Sequence, residues 1–210
     1  MAEIISLILI LAILFFSIII HEYSHGRIAA LLGDPTAKAA GRLTLNPLAH
    51  IDPFGTFILP ITLFITTLQL GRPFAIGYAR PVPINPANFT NPKKGMMWVG
   101  LAGPASNFIL ALIFSLLRAI ITMPFLREIF AYAVLVNVIL AVFNLIPIPP
   151  LDGSRVLLYF LPYKYASPYL KLERYGFLII LLLFFTRIIH LLVLPVISFI
   201  LRLLQVPMQV

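Results

Sequence analysis

Apolar residues in this chain gather into long runs separated by short polar stretches, so the pattern is neither the two-residue alternation of strands nor the one-sided stripe of surface helices. Residues 4–20 form an uncharged apolar run, and 4–32 read as one helix with Gly33-Asp34-Pro35 as its stop signal. Residues 95–117 and 129–146 are two more apolar runs, each near the roughly 20 residues that a helix needs to cross a bilayer. A shorter run, 54–70, is broken by Pro60 and is marginal for a crossing. Residues 175–204 are interrupted by Arg187, His190 and Pro195, which predicts one crossing plus an interfacial or partial segment. Between these runs, the small and alternating residues of 36–47 predict a short strand or hairpin. The proline-rich stretch 71–94 predicts extended or loop structure, 154–162 a short helix, and 163–174 a polar linker. The expected fold is an all-α polytopic membrane protein: a helical transmembrane bundle with a small β-hairpin or re-entrant element beside any site it carries.

Composition sharpens this picture. Hydrophobic residues make up 61% of the 210 positions and charged residues 10%, with a mean hydropathy of +1.04. A soluble domain of this size has no surface for such a balance. One membrane-embedded domain is expected over 1–210, with a core of 1–155 and a C-terminal transmembrane region of 156–210. The formal charge of +8 comes from Lys and Arg placed singly between apolar runs, which marks them as membrane flank charges and not as a nucleic-acid surface. Glu3 is the only early charge and no basic segment precedes the first run, so that helix is expected to stay in the mature chain. Cysteine is absent, which excludes disulfides and any thiolate metal site.

The chemistry concentrates at His21-Glu22-Tyr23-Ser24-His25, a His-Glu-x-x-His sequence at the end of the first run. Positions i and i+4 share a helix face, so both imidazoles can bind one Zn²⁺ while Glu22 reaches the water held there. A catalytic zinc takes a third protein ligand, here a further His or a carboxylate. Asp152 is the favoured candidate, because a carboxylate beside membrane sequence is costly unless paired or metal-bound. Its bland alternative is an N-cap for the helix starting near Ser154.

The His21-Glu22-Tyr23-Ser24-His25 segment, Gly103-Pro104-Ala105-Ser106-Asn107, and Asn144 followed by Pro147-Ile148-Pro149-Pro150-Leu151-Asp152-Gly153 together resemble the site-2 proteases, intramembrane zinc metalloproteases of peptidase family M50. The resemblance runs from the first segment to about Arg155, with the motifs in the family's order and each in apolar sequence. It implies one zinc per chain held by His21, His25 and Asp152, with Glu22 as general base. It implies substrate contact for Asn144, transmembrane proteins as substrates, and regulated intramembrane proteolysis as the activity. The chain is too short for the PDZ domain of many relatives and carries no obvious cystathionine-synthase-like domain, which leaves substrate selection open. A zinc transporter or channel is the rival reading, but it calls for ligands at several depths, and here there is one compact set with a Glu beside it.

For His25 and Asp152 to meet, the ends of 4–32 and 129–146 must face the same side of the bilayer. That parity makes 95–117 and 129–146 an inside-out, outside-in pair and predicts that 54–70 is re-entrant or interfacial. Lys38, Arg42, Arg72, Arg80, Lys93, Lys94, Arg155, Lys164, Lys171 and Arg174 then fall inside, against Arg118 and Arg127 outside, which puts a multi-pass protein in the cell membrane with its site toward the cytoplasm. His50 reads as a loop histidine capping local backbone, and His190 with Arg187 as an interfacial anchor. Gly103 reads as a close-packing position and Asn107 as a structural support for the site. Asn137 is left between an interhelical hydrogen bond and some further role.

Overall fold

The computed structural model describes residues 2–58, 61–62, 65–66 and 79–206. Eight α-helices carry the architecture among them: α1 (Ala2–Leu31), α2 (Thr36–Ala39), α3 (Pro92–Ile120), α4 (Pro124–Asn144), α5 (Asp152–Phe160), α6 (Tyr163–Lys171), α7 (Gly176–Phe185) and α8 (Ile188–Leu203). Helix α3 is the hub and packs on α1, α4 and α5, while α8 covers the other side of α4. Ala111, Ala133 and Ala141 are wholly buried at these contacts, which lets the helix backbones approach closely. Val134, Val138, Val142, Val193, Ile197 and Leu201 fill the layer between α4 and α8. Helices α3 and α4 are long and apolar enough to cross a membrane, with mean hydropathies of 1.8 and 2.0 over their most apolar stretches. Much of their surface is exposed apolar side chain, including Ile109, Leu112, Leu116 and Ile120 on α3.

The hairpin expected at 36–47 is not there, and no strand occurs among the described residues. Asp34 explains the difference. Its Oδ1 accepts from the Thr36 amide at 3.1 Å and from the Thr36 hydroxyl, a local turn that launches α2 through residues with good helix propensity. Gly41, at φ 67°, then ends the helix in the left-handed region. Residues 163–174 also differ from the expected linker. They form α6 and a 3-10 turn, Leu172–Tyr175, because a helix with no buried residue can be polar around most of its surface. Residues 175–204 break only once, at Arg187 with φ 60°, and Pro195 lies inside α8. The predicted course of 54–70 falls largely outside the described residues, as does the side chain of His190.

An extended strap, residues 79–85, runs back along α1. Its Arg80 amide donates to the His50 carbonyl at 2.9 Å, and its Asn85 amide donates to Asp34 Oδ2 at 2.7 Å. The Asn88 side chain donates to Asp34 Oδ1 at 2.7 Å. Burial alone would raise the Asp34 pKa, but the hydrogen bonds from Thr36, Asn85 and Asn88 outweigh it and hold the carboxyl below its ordinary value. The folded pKa therefore lies below the unfolded one, so this clamp stabilises fully above the unfolded value and is lost as pH falls through the folded value. Asp34→Asn should lower the melting temperature of the solubilised protein at neutral pH, and the gap to the parent should narrow on acidification, as thermal unfolding followed across the acidic range will report.

Candidate metal centre

His21, Glu22 and His25 lie in the second half of α1, and the two imidazoles fall on one face as their i, i+4 spacing requires. Their rings are 4.6 Å apart between centroids and stand at 85° to each other. Asp152, the first residue of α5, meets them: its Oδ2 is 3.0 Å from His21 Nε2 and 3.3 Å from His25 Nε2. The sequence-predicted set thus converges from opposite ends of the core, across 127 or more positions of chain in the numbering. The Glu22 carboxylate belongs to the same cluster, with one oxygen within 4.8 Å of a ring nitrogen on each histidine.

Two glycines permit this convergence. A Cβ at Gly103 of α3 would sit 2.5 Å from both His21 Nε2 and His25 Nε2, so the imidazoles occupy the space where any other residue has a side chain. At the start of α5, a Cβ on Gly153 would meet the Leu145 carbonyl oxygen at 2.1 Å. That close approach to the end of α4 sets where Asp152 can stand.

The hydrogen bonds fix the protonation pattern. His21 Nδ1 lies 2.6 Å from Asn107 Oδ1, and His25 Nδ1 lies 2.7 Å from the Val99 carbonyl oxygen. Both partners are acceptors, so both Nδ1 atoms carry protons, which leaves the two Nε2 atoms to face the shared point. Both Nε2 atoms face Asp152 Oδ2, a buried oxygen with no other partner. Groups this close need positive charge between them, from a proton on a ring nitrogen or from a metal ion, and two imidazole nitrogens with a carboxylate oxygen are a donor set that suits Zn²⁺.

Glu22 is turned from this point toward the strap, where its Oε2 accepts from the Val82 amide at 3.0 Å. Asn144, at the end of α4, donates from its side chain to the Leu140 carbonyl one turn back on its own helix, at 2.9 Å, and not to the cluster. His50 is wholly buried, with Nε2 2.8 Å from the Thr44 carbonyl, the local backbone contact expected of it. Asn137, left open in the sequence, donates to Ser17 Oγ at 2.9 Å and accepts from Asn107. Ser17 was not singled out, although its place one turn before His21 on the same face is a usable signal. The Val82 contact runs through backbone and left no residue-type signal.

The sequence profile of Peptidase family M50 matches residues 119–186, a stretch that includes Asp152. YwhC of Bacillus subtilis, whose name describes it as a candidate zinc metalloprotease, is 37% identical over 185 residues, covering 82% of this chain and 78% of YwhC. This chain belongs to peptidase family M50, the site-2 proteases. A similarly named M50 relative, Rip2 of Mycolicibacterium smegmatis, is 33% identical over 184 residues, covering 85% of this chain and 67% of Rip2. The zinc metalloprotease MJ0392 of Methanocaldococcus jannaschii is 36% identical over 81 residues, covering 38% of this chain and 23% of MJ0392. No solved structure matches the chain. The M50 protein described here is accordingly a zinc metalloprotease that acts on proteins.

In this M50 chain, Gly103→Ala would push a methyl group into both imidazoles. A displacement of order 1 Å in an active site costs about 100-fold in rate, so cleavage should fall by at least that much. Metal analysis of the purified variant should also find less than one zinc per chain.

Proposed function

We propose that this chain is a multi-pass intramembrane protease, a single membrane-embedded domain that cuts peptide bonds within or near transmembrane segments of other proteins. In this reading His21, His25 and Asp152 hold one zinc ion, Glu22 is the general base, and the site faces the cytoplasm. The observation that carries the reading is the common point faced by His21 Nε2, His25 Nε2 and Asp152 Oδ2, with the Glu22 carboxylate alongside. The exposed apolar surfaces of α3 and α4 support a lipid environment. Lys93 and Lys94 at the start of α3, with Arg155 on α5, lie at the site's end of the bundle, and Arg118 and Arg127 flank the opposite turn. That asymmetry supports the orientation.

Bound zinc supplies a Lewis acid for the scissile carbonyl and acidifies the attacking water. The protein's own groups do the rest. Asn107 and Val99 hold the two imidazoles as neutral ligands with their Nε2 lone pairs turned inward. Glu22 keeps Oε2 on the Val82 amide, which leaves Oε1 to take the proton from water and return it to the leaving amine. A helical substrate must unwind locally before its carbonyl is accessible, since its backbone groups are bonded to one another. Asn144, the last residue of α4, is the residue assigned to the unwound backbone, and it reaches substrate by releasing its bond to Leu140.

Two substitutions test separate parts of this reading. Glu22→Gln keeps the ligands and removes the base, so purified protein should retain zinc while cleavage falls by about 10²–10⁴-fold. A comparison of membrane proteomes from cells with the parent chain and with Glu22→Gln should show transmembrane fragments that accumulate only in the variant. No accumulating fragment, together with purified protein that holds no zinc, would overturn the reading. Asn144→Ala should lower cleavage at unchanged zinc content, and full turnover in that variant would remove Asn144 from the assignment.

A further inference from the structure

Ser17 on α1, Asn107 on α3 and Asn137 on α4 have no solvent exposure, and none of them is among the atoms that reach the metal point. We propose that these three residues form a one-way hydrogen-bond relay that fixes His21 as the Nδ1-protonated tautomer, and so sets the protein's affinity for zinc. The inference rests on the reading above that His21 is a zinc ligand.

The polarity of each link follows from the one before it. Ser17 commits its hydroxyl proton to the Ile13 carbonyl at 2.8 Å, so its oxygen faces Asn137 as an acceptor. Asn137 Nδ2 donates one proton to Ser17 Oγ at 2.9 Å and the other to the Ala133 carbonyl at 2.9 Å. Two acceptors therefore pin that amide nitrogen, and Asn137 Oδ1 is left pointing at Asn107. Asn107 Nδ2 donates to it at 2.9 Å, with its second proton directed at the Ser17 carbonyl at 3.5 Å. Only an acceptor, Asn107 Oδ1, then remains to face His21 Nδ1 at 2.6 Å. Turning Asn137 over would set N–H against N–H at Asn107, turning Asn107 over would set its oxygen against Asn137 Oδ1, and each unpaired buried group costs about 1–3 kcal/mol. The relay begins at two backbone carbonyls, Ile13 and Ala133, which cannot change role. It ends by placing the His21 proton on Nδ1 and the lone pair at Nε2, 3.0 Å from Asp152.

His25 needs no such relay, because its Nδ1 meets a backbone carbonyl, Val99, directly. Asn107 could in principle present either end of its amide to His21, and Asn137 is what decides between them. Asn137 and Ser17 are thus positioning residues that act through Asn107.

The competing explanation is that the three side chains only join α1, α3 and α4, a common use of buried polar groups between membrane helices. Asn137→Leu and Asn137→Asp separate the two. Leu removes the acceptor that orients Asn107. In its protonated form Asp keeps one oxygen toward Asn107 Nδ2 and donates from the other toward the Ala133 carbonyl, where Asn137 Nδ2 donates in the parent. Zinc affinity of the full-length, detergent-solubilised chain is measured by competition with a chromophoric chelator, beside His21→Ala, Asn107→Leu and the parent. Loss of a hydrogen bond that orients a metal-binding histidine weakens metal binding by about 10–100-fold. Asn107→Leu should fall in that range, Asn137→Leu should weaken binding in the same direction, and Asn137→Asp should return to the parent range. The ¹⁵N shifts of the His21 ring should show a protonated Nδ1 in the parent and in Asn137→Asp, and a mixture of tautomers in Asn107→Leu. This signal does not depend on stability, so it also decides the case if Asn137→Leu folds poorly. Parent-like affinity in folded Asn137→Leu, or equal loss in the Leu and Asp variants, overturns the relay while His21→Ala still loses zinc. If His21→Ala keeps zinc at parent affinity, the ligand assignment itself fails.

Discussion

Three hydrogen-bond acceptors, two imidazole nitrogens and one carboxylate oxygen, meet at a point where α3 has no side chain to separate them. Groups this close need positive charge between them, and in the proposed reading a metal ion at the shared point supplies it. The rest of the architecture can be read as the means of delivering the three groups there. Helix α1 brings both histidines on one face, and Gly153 lets the start of α5 press onto the end of α4 so that Asp152 arrives at the same height. The absent side chain at position 103 leaves room for both rings.

A second constraint follows from the first. Each imidazole must be held in one tautomer, and each hydrogen bond that holds it must be completed inside helices that offer little but their own carbonyls. The bundle meets this in two ways, with the Val99 carbonyl for His25 and a path through Asn107, Asn137 and Ser17 for His21. These bonds join α1, α3 and α4 around the site, so the groups that set the metal's environment are also part of what packs the core.

Much of this was legible in the sequence because the relevant signals are local or chemically exclusive. Apolar runs located α1, α3 and α4 to within a few residues, and the absence of cysteine with a His-Glu-x-x-His segment narrowed the third metal ligand to another His or a carboxylate. Asp152 could be chosen since an acidic side chain beside membrane sequence needs a reason to be there. The short elements were misread for a different cause. Residues 36–47 alternate as a strand does, yet Asp34 and Gly41, just outside and inside that window, determine a helix and its end. The polar stretch at 163–174 looked like a linker because Pro168 stands inside the helix and none of its residues is buried. The roles of Asn137 and Val82 depend on contacts 30 and 60 positions away, and no local pattern encodes those.

The bond between Glu22 and Val82 has a consequence for how this site tolerates change. The donor is a peptide N–H, which every residue except proline carries. The contact that orients the carboxylate therefore does not depend on the chemistry of the side chain at 82, which is buried beside Gly26, but on the course of the strap, and Pro81 and Pro83 on either side stiffen that course. The orientation of Glu22 is in this sense inherited from the path of the chain and not from a neighbour's functional group, which makes it sensitive to insertions or deletions in the strap.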